Sequence, residues 1–197
     1  MKIGLACVET KPQDMSFNIN QVVNLLMVAK KHQVDLVLFG KDFLGNTSLT
    51  HDAQALFQLK IASTYYDVAI GMGYIEDDQS NYIIIDESGN IRYNHLTDQE
   101  FVFKGQTFSV VLGDQGFKAS ETNHLLLWPI LTSTSEKDWF NHELSRYRTQ
   151  ANLLAKESIL VNSFVEEVAY GGAFHLKDNV FVVNQPMGQK GLSILEI

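Results

Sequence analysis

Stretch after stretch of this chain is mostly apolar over the length of a β-strand, without the strict alternation of a half-wet one: Ile3–Val8, Asp35–Gly40, Val68–Ile75, Asn81–Asp86, Phe108–Leu112, His124–Pro129 and Ile159–Phe164. A strand with one wet face alternates apolar and polar residues, whereas a continuous run marks a strand covered on both faces. So many two-sided strands need more cover than one sheet provides. Two sheets packed face to face with helices outside is the arrangement that supplies it, which places the chain in the α/β (α+β) class.

Helical spacing supplies the outer cover. Ile19, Val22, Val23 and Leu26 recur at helical intervals after a cap expected at Ser16, with Lys30 and Lys31 near the end where the helix dipole favours cations. A second helix is expected over Asp52–Tyr66, with Phe57 and Ile61 on one stripe and Ala55, Leu59 and Ala62 beside it. Pro129 is expected to stop its strand, and a long helix beyond it carries Phe140, Leu144, Tyr147, Ala151 and Leu154 at alternating spacings of four and three. The turn Glu87-Ser88-Gly89-Asn90 predicts a hairpin into Ile91–Leu96, which sets Tyr93 and His95 at a strand end. Short closing strands are expected at Ala173–Leu176, Val180–Asn184 and Leu192–Ile197.

The 197 residues read as one domain, 1–197, with three prolines and no linker or low-complexity tract. A net charge of −8 argues against nucleic-acid binding, which needs a basic face. No apolar run reaches bilayer length and the amino terminus reads as a strand, so a cytoplasmic protein without a membrane partner is expected. The single Cys7 excludes an internal disulfide and fits a reducing compartment. The histidines, His32, His51, His95, His124, His142 and His175, show no metal spacing, and no phosphate loop is present. Neither metal nor cofactor is expected.

Thr107–Phe117, TFSVVLGDQGF, reads as a buried strand entering a sharp turn that presents Gly113 and Asp114. Such an elbow is where α/β enzymes mount a nucleophile, yet glycine has no side chain to react.

The order of several segments resembles the carbon–nitrogen hydrolases, the nitrilase and amidase superfamily, over nearly the whole chain. KIGLACVE is similar to the first strand of that family, and DLVLFGKDF to the run that ends in Phe-Pro-Glu. SNYIIIDESGNIRYNHL resembles the stretch leading to an Arg-Lys-x-His-Leu motif. TFSVVLGDQGF resembles the strand ending in Cys-Tyr-Asp or Cys-Tyr-Glu, while YGGAFHLKDNVFVV and GLSILEI resemble the closing strands. The resemblance implies a four-layer α-β-β-α sandwich and hydrolysis of amides or nitriles by a Glu-Lys-Cys triad, in which cysteine attacks, glutamate moves protons and lysine steadies the developing charge.

At the matching positions this chain has Lys41, Tyr93 and Gly113. The expectation is therefore a non-hydrolytic relative, with Lys41, Tyr93, His95, Gly113 and Asp114 as the floor of a pocket for a small anionic ligand, or with a regulatory role. Gly113 would add empty volume and Lys41 positive charge. One alternative is a partner subunit, pairing as a dimer with a copy of itself or with an active relative through the helix that carries Trp139, Phe140 and Leu144. Another is an amidase with rebuilt chemistry, Asp114 serving as base and Lys41 or His95 as electrophile. Cys7 reads as a small buried side chain and Ser109 as a packed hydroxyl rather than as displaced nucleophiles. Lys41 with Asp42 also reads as a solvated strand end. Gly71, Gly73, Gly171 and Gly172 suit either a ligand site or strand-end turns.

Overall fold

A computed structural model describes residues 1–46, 49 and 53–197, with the backbone alone for 181–184. In chain order the first half runs β1 (Lys2–Cys7), α1 (Met15–Lys31), β2 (Leu36–Leu38), α2 (Ala53–Tyr66), β3 (Ala69–Glu76), β4 (Gln79–Ile85) and β5 (Ile91–Asn94). The second half runs β6 (Glu100–Phe103), β7 (Gln106–Val110), a 3-10 turn (Gly113–Lys118), β8 (Leu125–Ile130), α3 (Glu136–Asp138), a π turn (Trp139–Glu143) and α4 (Leu144–Leu154). It closes with β9 (Glu157–Asn162), β10 (Phe164–Val165), β11 (Ala169–Tyr170), β12 (Ala173–Lys177), β13 (Val180–Gln185) and β14 (Gly191–Glu196).

Among the described residues twelve of the strands form two six-stranded sheets, ordered β14-β1-β2-β3-β4-β5 and β13-β12-β9-β8-β7-β6, while β10 and β11 pair with each other apart from them. In each six-stranded sheet, three parallel strands are flanked by antiparallel ones. Because side chains alternate across a strand, each two-sided run feeds two cores. Ile3, Leu5, Leu36, Leu38, Tyr82 and Ile84 meet Phe108, Leu125, Leu127 and Ile159 between the sheets. Their neighbours Val37, Ile70, Met72, Ile83 and Ile85 pack outward against Val22, Leu26, Leu59 and Ala62 of α1 and α2. On the far side Leu126, Trp128 and Leu160 pack against Trp139, Tyr147, Ala151 and Leu154. The three interlayer cores make the expected four-layer α-β-β-α sandwich.

Local expectations are corrected in five places. The cap of α1 is Asp14, whose carboxylate accepts from the Phe17 N–H, and not Ser16. His51 and Asp52 lie outside the described residues. α2 buries its small stripe of Ala55, Leu59, Ala62 and Ser63 and leaves Phe57 and Ile61 exposed. Pro129 does not stop β8, which pairs with β9 through Ile130; β7 has by then diverged, its register ending at Leu127, so the missing N–H has no partner to fail on that side.

The late helix breaks the periodicity expected of it. A π turn inserts one extra residue, so Trp139 points inward, fully buried against Phe174 and Tyr147, while Phe140 is left exposed. Trp139 is therefore core and cannot belong to an outer contact face. The sequence reading also lacked β6, which pairs with β7 through a tight turn at Lys104 and Gly105, both at positive φ.

Candidate functional site

β2, β5 and β7 end at the same edge of the sandwich, so the residues that follow them are brought together. Beyond β2 the chain leaves as Phe39-Gly40-Lys41-Asp42 and is held by both sheets. The Lys41 N–H donates to the Ile130 carbonyl at 3.3 Å, and the Ser163 hydroxyl donates to the Lys41 carbonyl at 2.6 Å. Asp42 adopts positive φ, and a Cβ on Gly73 would come within 2.3 Å of its nitrogen. Glycine at 73 is what lets this strap cross β3.

Lys41 and Asp42 are not a solvated strand end. Their side chains are 23% and 8% exposed and form an ion pair with Nζ 3.0 Å from Oδ2. Among the described residues the other carboxylate oxygen of Asp42, which is buried, has no hydrogen-bond partner. A buried acceptor left without a donor costs about 1–3 kcal/mol, so the pair is held by the strap and not by full satisfaction.

The elbow after β7 turns where it was expected to. Gly113 sits at φ +47, and its carbonyl accepts from the buried Trp128 indole N–H at 2.8 Å. The volume beside Gly113 is not empty, however. A Cβ built on it would stand 3.0 Å from Cδ, 3.2 Å from Cε and 3.7 Å from Nζ of Lys41. The lysine stem occupies the space that a side chain at position 113 would enter.

Tyr93 is fully buried in the core between the sheets. Burial, followed by the charge of Asp98, pushes its phenol well above the usual tyrosine range, so it acts as a hydroxyl. Its oxygen lies 2.8 Å from Nδ1 of His95, whose Nε2 lies 3.2 Å from the Gln115 amide oxygen. An amide oxygen only accepts, so Nε2 carries the proton and Nδ1 accepts from the phenol. Burial lowers the affinity of this imidazole for a second proton, and the bond to Gln115 opposes that in part.

Above these groups lies a groove of about 560 Å³ lined by Lys41, Gln79, Ser80, Asn81, His95, Leu96, Leu112, Asp114 and Gln115. Of the five residues expected at the site, Lys41, His95 and Asp114 line it. Gly113 lies beneath the Lys41 stem, and Tyr93 supports His95 from below. Gln79, Ser80 and Asn81 were missed; they follow the tight turn at Asp77 and Asp78, whose paired positive φ values mark a hairpin. Gln115 was missed too, one residue beyond the elbow.

Chemically the groove offers an ammonium, a neutral imidazole, a carboxylate, amides and a hydroxyl. Among the described residues no hydrogen bond joins Ser80 to a base. Cys7, the sole thiol, is buried away from the groove, accepts from the Gly172 N–H at 3.0 Å, and has its pKa raised by burial. Ser109 is buried and bonded to Thr122 and Glu100. Gly71, Gly171 and Gly172 admit close neighbours, Leu38 and Tyr82, Cys7, and Phe174 respectively, and line no cavity at this edge. Among the described residues no group of His, Cys, Asp and Glu is placed to hold a metal ion, and no helix is long and apolar enough to cross a membrane.

No family model and no curated protein matches the chain. Solved structures do. A glutamate-to-glutamine mutant of the amidase from Nesterenkonia sp. AN1, with acrylamide joined by Michael addition at its active-site cysteine, is 13% identical and superposes with a TM-score of 0.78 over 100% of this chain and 93% of its own. A cysteine-to-serine mutant of that amidase, described as a member of the nitrilase superfamily, is 13% identical with a TM-score of 0.78, over 100% of this chain and 91% of that one. A further mutant, carrying the acetamide moiety of fluoroacetamide on its active-site cysteine, is 14% identical with a TM-score of 0.75, over 100% and 90%. Likeness at this level of identity speaks to architecture alone: the chain has the fold of the nitrilase-superfamily amidases.

Proposed function

We propose that this chain is a non-hydrolytic protein on an amidase fold, one that binds at the groove without forming a covalent intermediate. The observation that carries the reading is at Gly113, where the elbow has no reactive atom and the Lys41 stem fills the space beside it. Loss of the nucleophile from a covalent mechanism is not recovered by adjusting its neighbours. Acrylamide and fluoroacetamide, which add to the active-site cysteine in a glutamate-to-glutamine mutant of the neighbouring amidase, supply a direct test. The native protein should keep its intact mass on exposure to either. An adduct on a residue of the groove would overturn the reading.

The ligand we propose is a small polar molecule bearing a carboxylate. Lys41 is the fixed cation of the groove, and Gln79, Ser80, Asn81 and Gln115 bring amide and hydroxyl donors. Lys41 already pairs with Asp42, and Asp114 adds a negative charge to the wall, so the ligand competes with Asp42 for the ammonium and gains from an amino group of its own. A thermal-shift panel of small acids, with and without an amino group, should raise the melting temperature of wild type and not of Lys41→Ala. Equal responses from the two proteins would end the proposal.

A further inference from the structure

Two tryptophans, Trp128 and Trp139, are fully buried in the core beneath α4, and their indole N–H groups meet different fates. Among the described residues Nε1 of Trp139 has no partner, whereas Nε1 of Trp128 donates to the Gly113 carbonyl at 2.8 Å. A buried indole N–H that finds an acceptor fixes the backbone that supplies it. Here that backbone is the elbow.

At this point β7 parts from β8. The Val111 N–H still donates to the Leu127 carbonyl at 3.0 Å, and the backbone groups that follow need partners off the ladder. The Gly113 carbonyl finds the indole, and the turn then lies against that ring so closely that a Cβ on Gly116 would overlap it. Phe117 packs edge-on against the same ring at 5.3 Å. From α4 the Gln150 amide donates to the Gly116 carbonyl at 3.1 Å, and the Arg146 guanidinium stands 3.9 Å over the Phe117 ring. The 3-10 turn is thus fastened along its length, and it presents Asp114 and Gln115 to the groove. Gln115 carries that placement onward, its Oε1 lying 3.2 Å from Nε2 of His95.

We propose that Trp128 is a positioning residue of the groove, acting through Gly113 and Gly116 to hold Gln115 against His95. Trp128 is not among the residues that line the groove. Its hydrogen bond keeps the Gln115 amide within reach of the imidazole, and the amide fixes the ring with its proton on Nε2 and Nδ1 open to the Tyr93 phenol. An imidazolium donates a stronger bond than a neutral imidazole, so Gln115 favours protonation, and slackening its hold lowers the proton affinity of His95. The inference rests on the groove being the binding site, but its test needs no ligand. An acid panel without a hit would sink that reading, and this one would still be judged on His95.

The titration of His95, followed by NMR of its imidazole in the full chain, provides the test. Trp128→Phe keeps an aromatic ring and deletes the N–H, whereas Trp139→Phe deletes an N–H that has no partner. Trp128→Phe should lower the proton affinity of His95 about fivefold, the difference between a charged and a neutral hydrogen bond, and Trp139→Phe should leave it unchanged. Both variants retain the Tyr93 phenol and the charged residues of the two cavities that His95 lines, Lys41, Asp98, Glu100, Asp114 and Glu121. Gln115→Leu should reproduce the shift, and adding Trp128→Phe to it should move His95 no further. Gln150→Leu, which releases the Gly116 carbonyl without touching the core, should shift His95 in the same direction. The titration is read in the folded state, so a lower melting temperature cannot imitate the result. An unchanged titration in Trp128→Phe, or in Gln150→Leu should the core variant not fold, overturns the inference. So does a Trp128→Phe shift that adds in full to that of Gln115→Leu.

Discussion

Lys41 lies across Gly113, with its Cδ 3.0 Å from the point where a Cβ on that glycine would sit and its Nζ held 3.0 Å from Asp42. The relationship has a cost that can be read out. Gly113→Ala must hold an L side chain at φ +47 and displace the lysine stem, so it should lose about 1–2 kcal/mol for the backbone alone. Urea denaturation of Gly113→Ala, Lys41→Ala and the double variant checks both parts. The two changes should be less than additive, because removing the stem relieves the contact. Strict additivity would mean that the side chain at 41 does not occupy that space.

Gly73 carries the strap that holds Lys41. Gly73→Ala would drive a methyl group to within 2.3 Å of the Asp42 nitrogen, a backbone atom with no freedom to yield. Overpacking of this kind costs about 1–3 kcal/mol. The variant should melt earlier than wild type and also lose its thermal-shift response to small acids. Loss of stability with the response intact would separate the strap from the groove.

The π turn makes two adjacent aromatic residues unequal. Truncating the fully buried Trp139 to alanine should cost about 3–5 kcal/mol, whereas the same change at Phe140 should stay within roughly 0.5 kcal/mol. Chemical denaturation of the two variants decides it, and comparable losses would contradict the register described here.

Much of this was legible in the residues, for reasons that differ by position. Runs such as Asp35–Gly40 announce a two-sided strand because burial on both faces removes any need to alternate, and the strand ends then follow. Trp139 was illegible because a π turn leaves no mark on spacing; the Phe140, Leu144, Tyr147 series is as regular as that of an uninterrupted helix. Phe57 and Ile61 misled for the opposite reason, since their period is correct but the core side of α2 is set by close packing on the sheet, which favours Ala55 and Ala62. At the site, five positions were named from the resemblance to the carbon–nitrogen hydrolases, whose motifs fall at these strand ends. That Lys41 would turn back over Gly113 depends on the Gly73 crossing and the Asp42 pair, contacts between segments distant in sequence.

Acid should act on the groove through His95. Its imidazole takes up a proton less readily when folded than the ordinary 6.5, because burial disfavours the charged form. The unfolded chain therefore binds more protons below that pH, and stability present above about pH 6.5 falls as pH drops through the folded value. Urea midpoints on either side of this window should show a decline in wild type that is flattened in His95→Gln. Asp86 acts in a separate, lower window. Its desolvation is outweighed by hydrogen bonds from Asn90, Arg92 and Ser88, which keep its carboxylate below the usual range. An unchanged slope in His95→Gln would place the proton uptake elsewhere.

Ammonia release from a panel of amides and nitriles, followed at high protein concentration, tests the central claim most directly. The account predicts rates equal to buffer for wild type and for Asp114→Ala alike. Turnover by wild type that disappears in Asp114→Ala would contradict it, and would make this protein an amidase working without the cysteine that its structural neighbours use.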